Sequence, residues 1–578
     1  MYASLTLKDA YKKYTDDQDK TVSPGETVED VRRRFDALNL EILEETRRID
    51  NGRLGIPVYY SVCGRDAKSL TGTAKQMGKG ATAGQAEASA VMELVERFSF
   101  YSFSQNPQNF SKGTRKQMGP GAMDFADIAK SVHDTSRDLD AAQRVFERME
   151  FKWAEGFNLT RGEQVLIPFE WFFAINEFNG TSAGNCMEEA LCQGICEIVE
   201  RHVSAEVCRG EIRVPGIDPD SADDAMVQQM LSRYRENGIR VYASDFTLDT
   251  GIPTVGVLAW DPETFPEKSE IVWTAGTAPD PQKAFSRALS ETAQLAGDFN
   301  SGANYVASGL PKFASMEQAR FITEPARVVS INQLPDLSDS NIRVEVERCI
   351  AELERIGMEV ISIDTTHPGI GVPALFSVVP GAMFRERAEG ASVGMFCARL
   401  TAEKHEPERA IAELSEIDKI LTEKYYVRFF LGRAHLDSGL YDQAADYFLN
   451  ALELNPHPQD VASIYSFLGQ AYKEKAEFQK ALESAQSGLA HDEERIDLHN
   501  LEGFCRFKLK QHEAAIESFA RAVSLNPSSA IDYANMAVNY RETGDAESAK
   551  ACFRIALELD PELGFARQNL EELTGQAP

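Results

Sequence analysis

Long apolar runs are missing from this 578-residue chain. No uncharged stretch approaches the roughly 20 apolar residues of a membrane-spanning helix, and the opening MYASLTLKDAYKKY lacks the apolar segment of a secretory signal. Basic charge is also scarce. Sixty Lys and Arg against ninety Asp and Glu give a formal charge of −30, which argues against nucleic acid as a direct partner, since a phosphate backbone demands a basic face. The nine cysteines form no CxxC pair. Cys192 and Cys196, four apart on the apolar side of a helix, read as core thiols, and so sparse a set suggests a reducing compartment. A soluble cytoplasmic protein is the expectation. The standard phosphate and catalytic motifs are missing as well. Gly72-x5-Gly78-Lys79-Gly80 is one residue too long for a P-loop and lacks the hydroxyl after the lysine. Gly78-x-Gly80-x3-Gly84 is not a dinucleotide fingerprint, and there is no GxSxG, HExxH or kinase HRD/DFG set.

What the sequence has instead is an internal repeat. NGTSAGNCMEEALCQGICEIVERH, Asn179 to His202, reads as a glycine-bearing turn feeding a helix. At 100° per residue Glu189, Gln193, Glu197 and Glu200 share one face, while Leu191, Ile195, Ile198 and Val199 take the other. An acidic helix face is ordinarily a solvated face. Here, however, a second copy lies 104 positions earlier in GKGATAGQAEASAVMELVERF: Gly80 answers Gly184, Ala86 answers Ala190, and Glu93-x-x-Glu96-Arg97 answers Glu197-x-x-Glu200-Arg201. A fainter third copy lies 94 positions later in TAPDPQKAFSRALSETAQ, where Ala284 matches Ala190, Glu291 matches Glu197, and Gln294 replaces the second glutamate. Three loop–helix units that deliver glutamates at matched positions predict a shared carboxylate pocket. Packed carboxylates repel, so such a pocket needs divalent cations, and an all-oxygen ligand set suits Mg2+. A helix N-terminus behind a glycine loop can also hold phosphate.

The flanking sequence supplies strands. IPVYYSVC, IRVYASDFTL, IPTVGVLAWD, EIVWTAGTAPD and the two halves of MEVISIDTTHPGIGVPALFSVVPG read as strands, and KWAEGFNLTRGEQVLIPFEWFFA as strand–turn–strand running up to Asn179. Thr27 is the expected N-cap of the helix in VEDVRRRFDALNL. The fold class expected is α+β, a mixed sheet with helices, over residues 1–398, followed by an all-α unit over 399–578. In that second part Gly469, Gly503 and Ala537 recur at 34 residues, as do Ala481, Ala515 and Ala549. A first unit sits at Gly432 and Ala444, with three extra residues near Pro456-His457-Pro458. This is the tetratricopeptide (TPR) pattern, about four stacked helical hairpins with flanking helices. Such a solenoid normally binds peptide or protein, and otherwise serves as a structural or dimerising module.

The ordered blocks GKGAT…SAVMELVERF, NGTSAGN…EA…CEIVERH, RALSE and VVPG resemble the YcaO family over roughly residues 1–395. The resemblance implies ATP bound in a fold of its own through Mg2+ held by glutamates. It also implies phosphorylation of a backbone amide oxygen, so that a nucleophile can add and phosphate can leave. Outcomes in the family include azoline rings and thioamides. One branch is implicated in methylthiolation of ribosomal protein S12, and some of its members carry a C-terminal TPR-like domain. Residue by residue, the resemblance implies Glu93, Glu96, Glu197 and Glu200 as Mg2+ ligands. Ser182, Asn185, Glu189 and Arg201 would contact nucleotide or metal, Arg287 and Glu291 phosphate and metal, and Lys20 and Thr27 match a lysine and hydroxyl seven apart near the N-terminus. Lys79, closing the first glycine loop, joins the nucleotide contacts. Arg97 is either a contact or a structural ion-pair partner. Two departures stand out: Gly276-Thr277-Ala278 replaces a GxGxH-like loop, and the chain ends TGQAP rather than in a PxPxP tail, which disfavours ring formation.

Three functions follow as expectations: an ATP- and Mg2+-dependent enzyme acting on a peptide or protein amide, with the TPR unit docking substrate or a partner enzyme; an accessory factor for a methylthiotransferase acting on ribosomal protein S12; or a non-catalytic nucleotide sensor on a TPR scaffold. The resemblance also implies a homodimer.

Overall fold

Each of the three repeated blocks folds as a short strand, a turn and a long helix. Lys75–Lys79 leads to Ala83–Gln105, Thr181–Ala183 to Met187–Gly210, and Val272–Thr277 to Pro281–Ala296. In this computed structural model, which describes residues 5–301, 310–384 and 391–575, the three strands belong to three different sheets. Each is the last strand of its sheet. Lys75–Lys79 ends an antiparallel sheet with Leu43–Arg48 and Val58–Cys63. Thr181–Ala183 ends a six-stranded sheet next to Ala374–Val378. Val272–Thr277 ends a five-stranded sheet next to Thr254–Trp260, whose far edge carries the parallel pair Gly216–Asp218 and Val328–Ser330. Three sheet edges thus turn inward and release three helices toward one place.

Glycines fix how closely strand and helix approach. A Cβ on Gly78 would lie 2.1 Å from the Ala90 nitrogen, and one on Gly276 would lie 2.5 Å from the Ala288 nitrogen, each twelve residues further along. The first and third units therefore share one geometry. Gly80 and Gly184 repeat the relation between the first two units, with a Cβ 2.7 and 2.5 Å from the nitrogens of Ala86 and Ala190. Gly78→Ala, which drives a methyl into helix backbone, is expected to cost about 3 kcal/mol in urea denaturation, while Gly121→Ala, with nothing within 4 Å and no positive φ, serves as the control.

Several local expectations need correcting. Thr27 is not the N-cap: the helix runs Pro24–Ala37 and is capped by Ser23. Pro24 is pre-set for the first helical turn, and Ser23 and Glu26 form a reciprocal capping box, so the start lies four residues earlier. The aromatic run after Pro168 is a helix, Phe169–Asn176: Pro168 is the last ladder residue of its strand, opposite Trp153, and the segment beyond it is buried around most of its circumference. Lys75–Lys79 is a strand where a glycine loop was expected, and the charged segment Leu43–Arg48 is an edge strand.

The chain packs as two units, residues 1–135 with 147–391, and residues 136–146 with 392–578. The second unit contains four hairpins, Tyr425–Asp437 with Tyr441–Glu453, Pro458–Glu474 with Phe478–Leu489, Ile496–Lys508 with His512–Leu525, and Ala530–Thr543 with Ala546–Leu559. The extra residues near Pro458 lengthen one helix to 17 residues. Leu139–Phe146 packs on Val393–Lys404 within this unit. Among the described residues no helix is long and apolar enough to cross a membrane.

Candidate functional site

The three repeated helices meet around a cavity of about 310 Å3. Ala83–Gln105 contributes Glu93, Glu96 and Arg97, and Met187–Gly210 contributes Glu189, Gln193, Glu197, Glu200 and Arg201. Pro281–Ala296 contributes Arg287, Ser290, Glu291 and Gln294. Lys79 enters from the first repeat strand, Asn185 from the second turn, Thr27 from the helix Pro24–Ala37, and Lys20 from the N-terminal segment. The opposite face of the second helix, with Leu191, Ile195, Ile198 and Val199, is buried. Of the residues singled out in the sequence, only Ser182 does not line the cavity. It is fully buried next to Gly194, and its Oγ has no hydrogen-bond partner.

Polar contacts orient the walls. Arg97 donates to Glu93 at 3.0 Å, pairs with Glu96 at 3.0 Å, and lies over the Phe178 ring at 4.2 Å, which makes it an ion-pair partner of two glutamates. Glu96 accepts from Thr181 Oγ1 at 2.5 Å. Lys79 is paired with Glu291. Arg287 Nη1 donates to Gln193 at 2.8 Å, while its Nε is buried without a partner. Thr27 Oγ1 donates to Asn185 Oδ1 at 3.0 Å. Glu189 accepts four hydrogen bonds, from the Thr21 amide and hydroxyl at 2.6 Å each and from the Asn185 amide and carboxamide at 3.0 Å each.

Thr21 belongs to a strap that sequence reasoning missed. Asp17 accepts from the Thr82 amide and hydroxyl, at the head of the first helix. The Lys8 amide donates to Glu188 at the head of the second. Lys283 in the third donates to the Thr15 and Asp16 carbonyls, and Lys12 pairs with Glu345. The strap touches all three helices and carries Gln18 and Lys20 to the cavity wall. Apart from the Lys20–Thr27 spacing, nothing in its irregular sequence signals this role.

The cavity is electrostatically frustrated. Burial pushes Glu96 up to about 8 against the pull of Arg97, with Glu93 and Glu197 adding repulsion. Burial likewise pushes Glu197 up to about 7 and raises Glu200, despite the guanidinium of Arg201. The six glutamates that line the cavity offer hard oxygen donors that fit Mg2+, and the unpartnered Arg287 Nε, with Arg201 and Lys20, fits phosphate. A glutamate raised in the folded state binds its proton more tightly there than in the unfolded chain. Stability is therefore expected to fall as pH climbs from 4.5 through about 8. Millimolar Mg2+ is expected to raise the melting temperature little near about pH 5.5 and clearly near about pH 8; thermal melts with and without Mg2+ check this.

A second cluster, His202, Glu206 and Asp249, brings its potential ligand atoms within 4.8 Å of one another. His202 Nδ1 accepts the Met383 N–H at 3.1 Å, and burial lowers the ring to about 4. The neutral imidazole has one lone pair, already used, so the cluster lacks a histidine ligand for a cation.

The family model described as YcaO cyclodehydratase, ATP- and Mg2+-binding, matches residues 77–383. Tetratricopeptide-repeat models match 428–462, 496–529 and 533–563. An uncharacterized protein of Methanothermobacter thermautotrophicus is 28% identical over 386 residues, covering 63% of this chain and 94% of that one. The ribosomal protein S12 methylthiotransferase accessory factor YcaO of Escherichia coli is 26% identical over 243 residues, 38% of this chain and 40% of that protein. Among solved structures, a heterocyclase in complex with substrate and cofactor shares the fold, with a TM-score of 0.54 and 23% identity, covering 66% of this chain. The chain spans about half, 55%, of that heterocyclase.

Proposed function

The chain belongs to the YcaO family, whose model is ATP- and Mg2+-binding, and from that premise we propose that it uses MgATP to phosphorylate a backbone amide oxygen in a peptide or protein. The reading rests on one observation: Glu93, Glu96, Glu197, Glu200 and Glu291 line a single cavity with Lys79, Arg97, Arg201 and Arg287. Glu93, Glu96, Glu197 and Glu200 would hold Mg2+, which neutralises charge on the phosphates when bound. Arg201 and Arg287 would face the phosphoryl oxygens, where charge develops during transfer. Lys20, Thr27, Lys79, Asn185, Glu189 and Glu291 would orient nucleotide or the strap beside it. The phosphoryl group passes to the amide oxygen, a nucleophile adds at the carbon, and phosphate leaves with that oxygen. The repeats of the second unit would dock the substrate or a partner enzyme. Mass spectrometry of proteins retained from lysate, before and after MgATP, tests the reading. Backbone loss of water or exchange of oxygen for sulfur supports it, and no MgATP-dependent change contradicts it.

The similarity to the S12 methylthiotransferase accessory factor supports a second reading, in which the same cavity serves a separate methylthiotransferase. ATP turnover would then be negligible until that enzyme is added.

A further inference from the structure

The internal repeat sets corresponding residues side by side, and one position behaves differently in the first copy. Immediately before the matched alanines Ala86, Ala190 and Ala284 stand Gln85, Glu189 and Lys283, each in the opening turn of its helix. Two of them are spent on the N-terminal strap. Glu189 accepts from the Thr21 amide and hydroxyl, and Lys283 donates to the Thr15 and Asp16 carbonyls. The first helix meets the strap through Thr82 instead, which donates to Asp17. Gln85 is left over. It is 9% exposed and lines the cavity, yet its carboxamide has no hydrogen-bond partner among the described residues. A largely buried carboxamide that the protein itself leaves unpaired is a ready contact for a ligand.

Eight residues beyond Gln85, Glu189 and Lys283 lie Glu93, Glu197 and Glu291, the same offset in every copy. At 1.5 Å per residue these carboxylates sit about 12 Å further along their helices. The cavity thus has two levels, carboxylates at depth and Gln85 beside the strap. Ala88 and Met92, on the Gln85 face of the first helix, join Val22 and Pro24 in giving the Gln85 end an apolar lining. Pro24 packs close to that turn, since a Cβ on Gly84 would lie 3.6 Å from the Pro24 Cβ.

We propose that Gln85 is the base-reading residue of the nucleotide site. The inference rests on the use of MgATP proposed above and adds where the nucleoside lies. With the phosphates at the deep carboxylates, the triphosphate and ribose cover the distance between the two levels, and the base reaches Gln85. There the apolar side chains take the ring faces. The carboxamide accepts from the exocyclic amino group of adenine and donates to the neighbouring ring nitrogen. A carboxylate at this position could accept but not donate, which suits guanine, whose ring N–H and amino group are adjacent donors. The matched residues of the other two copies are already engaged by the strap, so this contact falls to the first copy alone.

The test is calorimetric titration of the full chain, in Mg2+, with the non-hydrolysed β,γ-methylene analogues of ATP and GTP and with inorganic tripolyphosphate. Gln85→Ala is expected to lower affinity for the ATP analogue at least about 10-fold, with tripolyphosphate affinity and the metal-free melting temperature unchanged. Gln85→Glu, which keeps the size of the side chain and suits the first turn of a helix, is expected to shift the ratio of ATP- to GTP-analogue affinity toward GTP at least about 10-fold. An unchanged affinity and ratio in both folded variants, or tripolyphosphate binding that falls in parallel with the ATP analogue, would overturn the inference and leave MgATP use standing. An unmodified chain that binds neither nucleotide would overturn both.

Discussion

Glu197→Gln is expected to raise the melting temperature of the metal-free protein by a few degrees while lowering its affinity for MgATP at least about 100-fold. The two effects have one cause. Glu197 is held at about 7 because burial and neighbouring glutamates oppose its charge, so a neutral isostere relieves repulsion in the absence of metal. With Mg2+ present the same charge is a ligand, and its loss leaves the cation short of an anionic oxygen. Glu200→Gln is expected to act in the same direction, although Glu200 also accepts from the Thr277 amide at 3.2 Å, so some stabilisation is lost with that contact. A purely solvated acidic face would move neither quantity. Calorimetric titration with MgATP and thermal melts in chelator read the two effects separately.

Arg287→Lys is expected to reduce MgATP turnover about 10^3-fold while changing nucleotide affinity far less. Arg287 is held by Nη1 on Gln193, and its buried Nε has no partner in the protein. A guanidinium so placed can present several donors to the oxygens of a phosphoryl group in transit. A lysine supplies charge without that planar fork. Gln193→Ala, which frees the guanidinium without removing it, is expected to cost about 10-fold in turnover. Phosphate release under single-turnover conditions, compared with equilibrium nucleotide binding, separates the two variants from a binding defect.

The parts of the site legible in the sequence are those fixed by helical geometry. Three copies of one glutamate face at matched helical positions point to Glu93, Glu96, Glu197, Glu200 and Glu291 by pattern alone, because a helix presents residues three and four apart on one side. The repeat glycines are legible for the same reason, since close strand–helix approach excludes a side chain wherever the unit recurs. The TPR hairpins announce themselves by period. What stays hidden depends on contacts distant in sequence. Asp17 and Thr21 look like any polar loop residues, and their importance comes from Thr82 and Glu189, 65 and 168 positions away. Phe169–Asn176 has strand-forming aromatics, yet the ladder stops at Pro168 and burial around most of the segment's surface makes it a helix. Leu139–Phe146 belongs with residues 392–578, far along the chain, and no local pattern could assign it there.

Transfer of amide oxygen to phosphate tests the central claim most directly. Proteins synthesised with 18O in their backbone carbonyls are incubated with the protein and MgATP, and the released phosphate is analysed by mass spectrometry. Phosphate carrying one 18O is expected with the unmodified chain and not with Glu197→Gln. Phosphate released without label, at the same rate with and without protein substrate, would contradict amide phosphorylation.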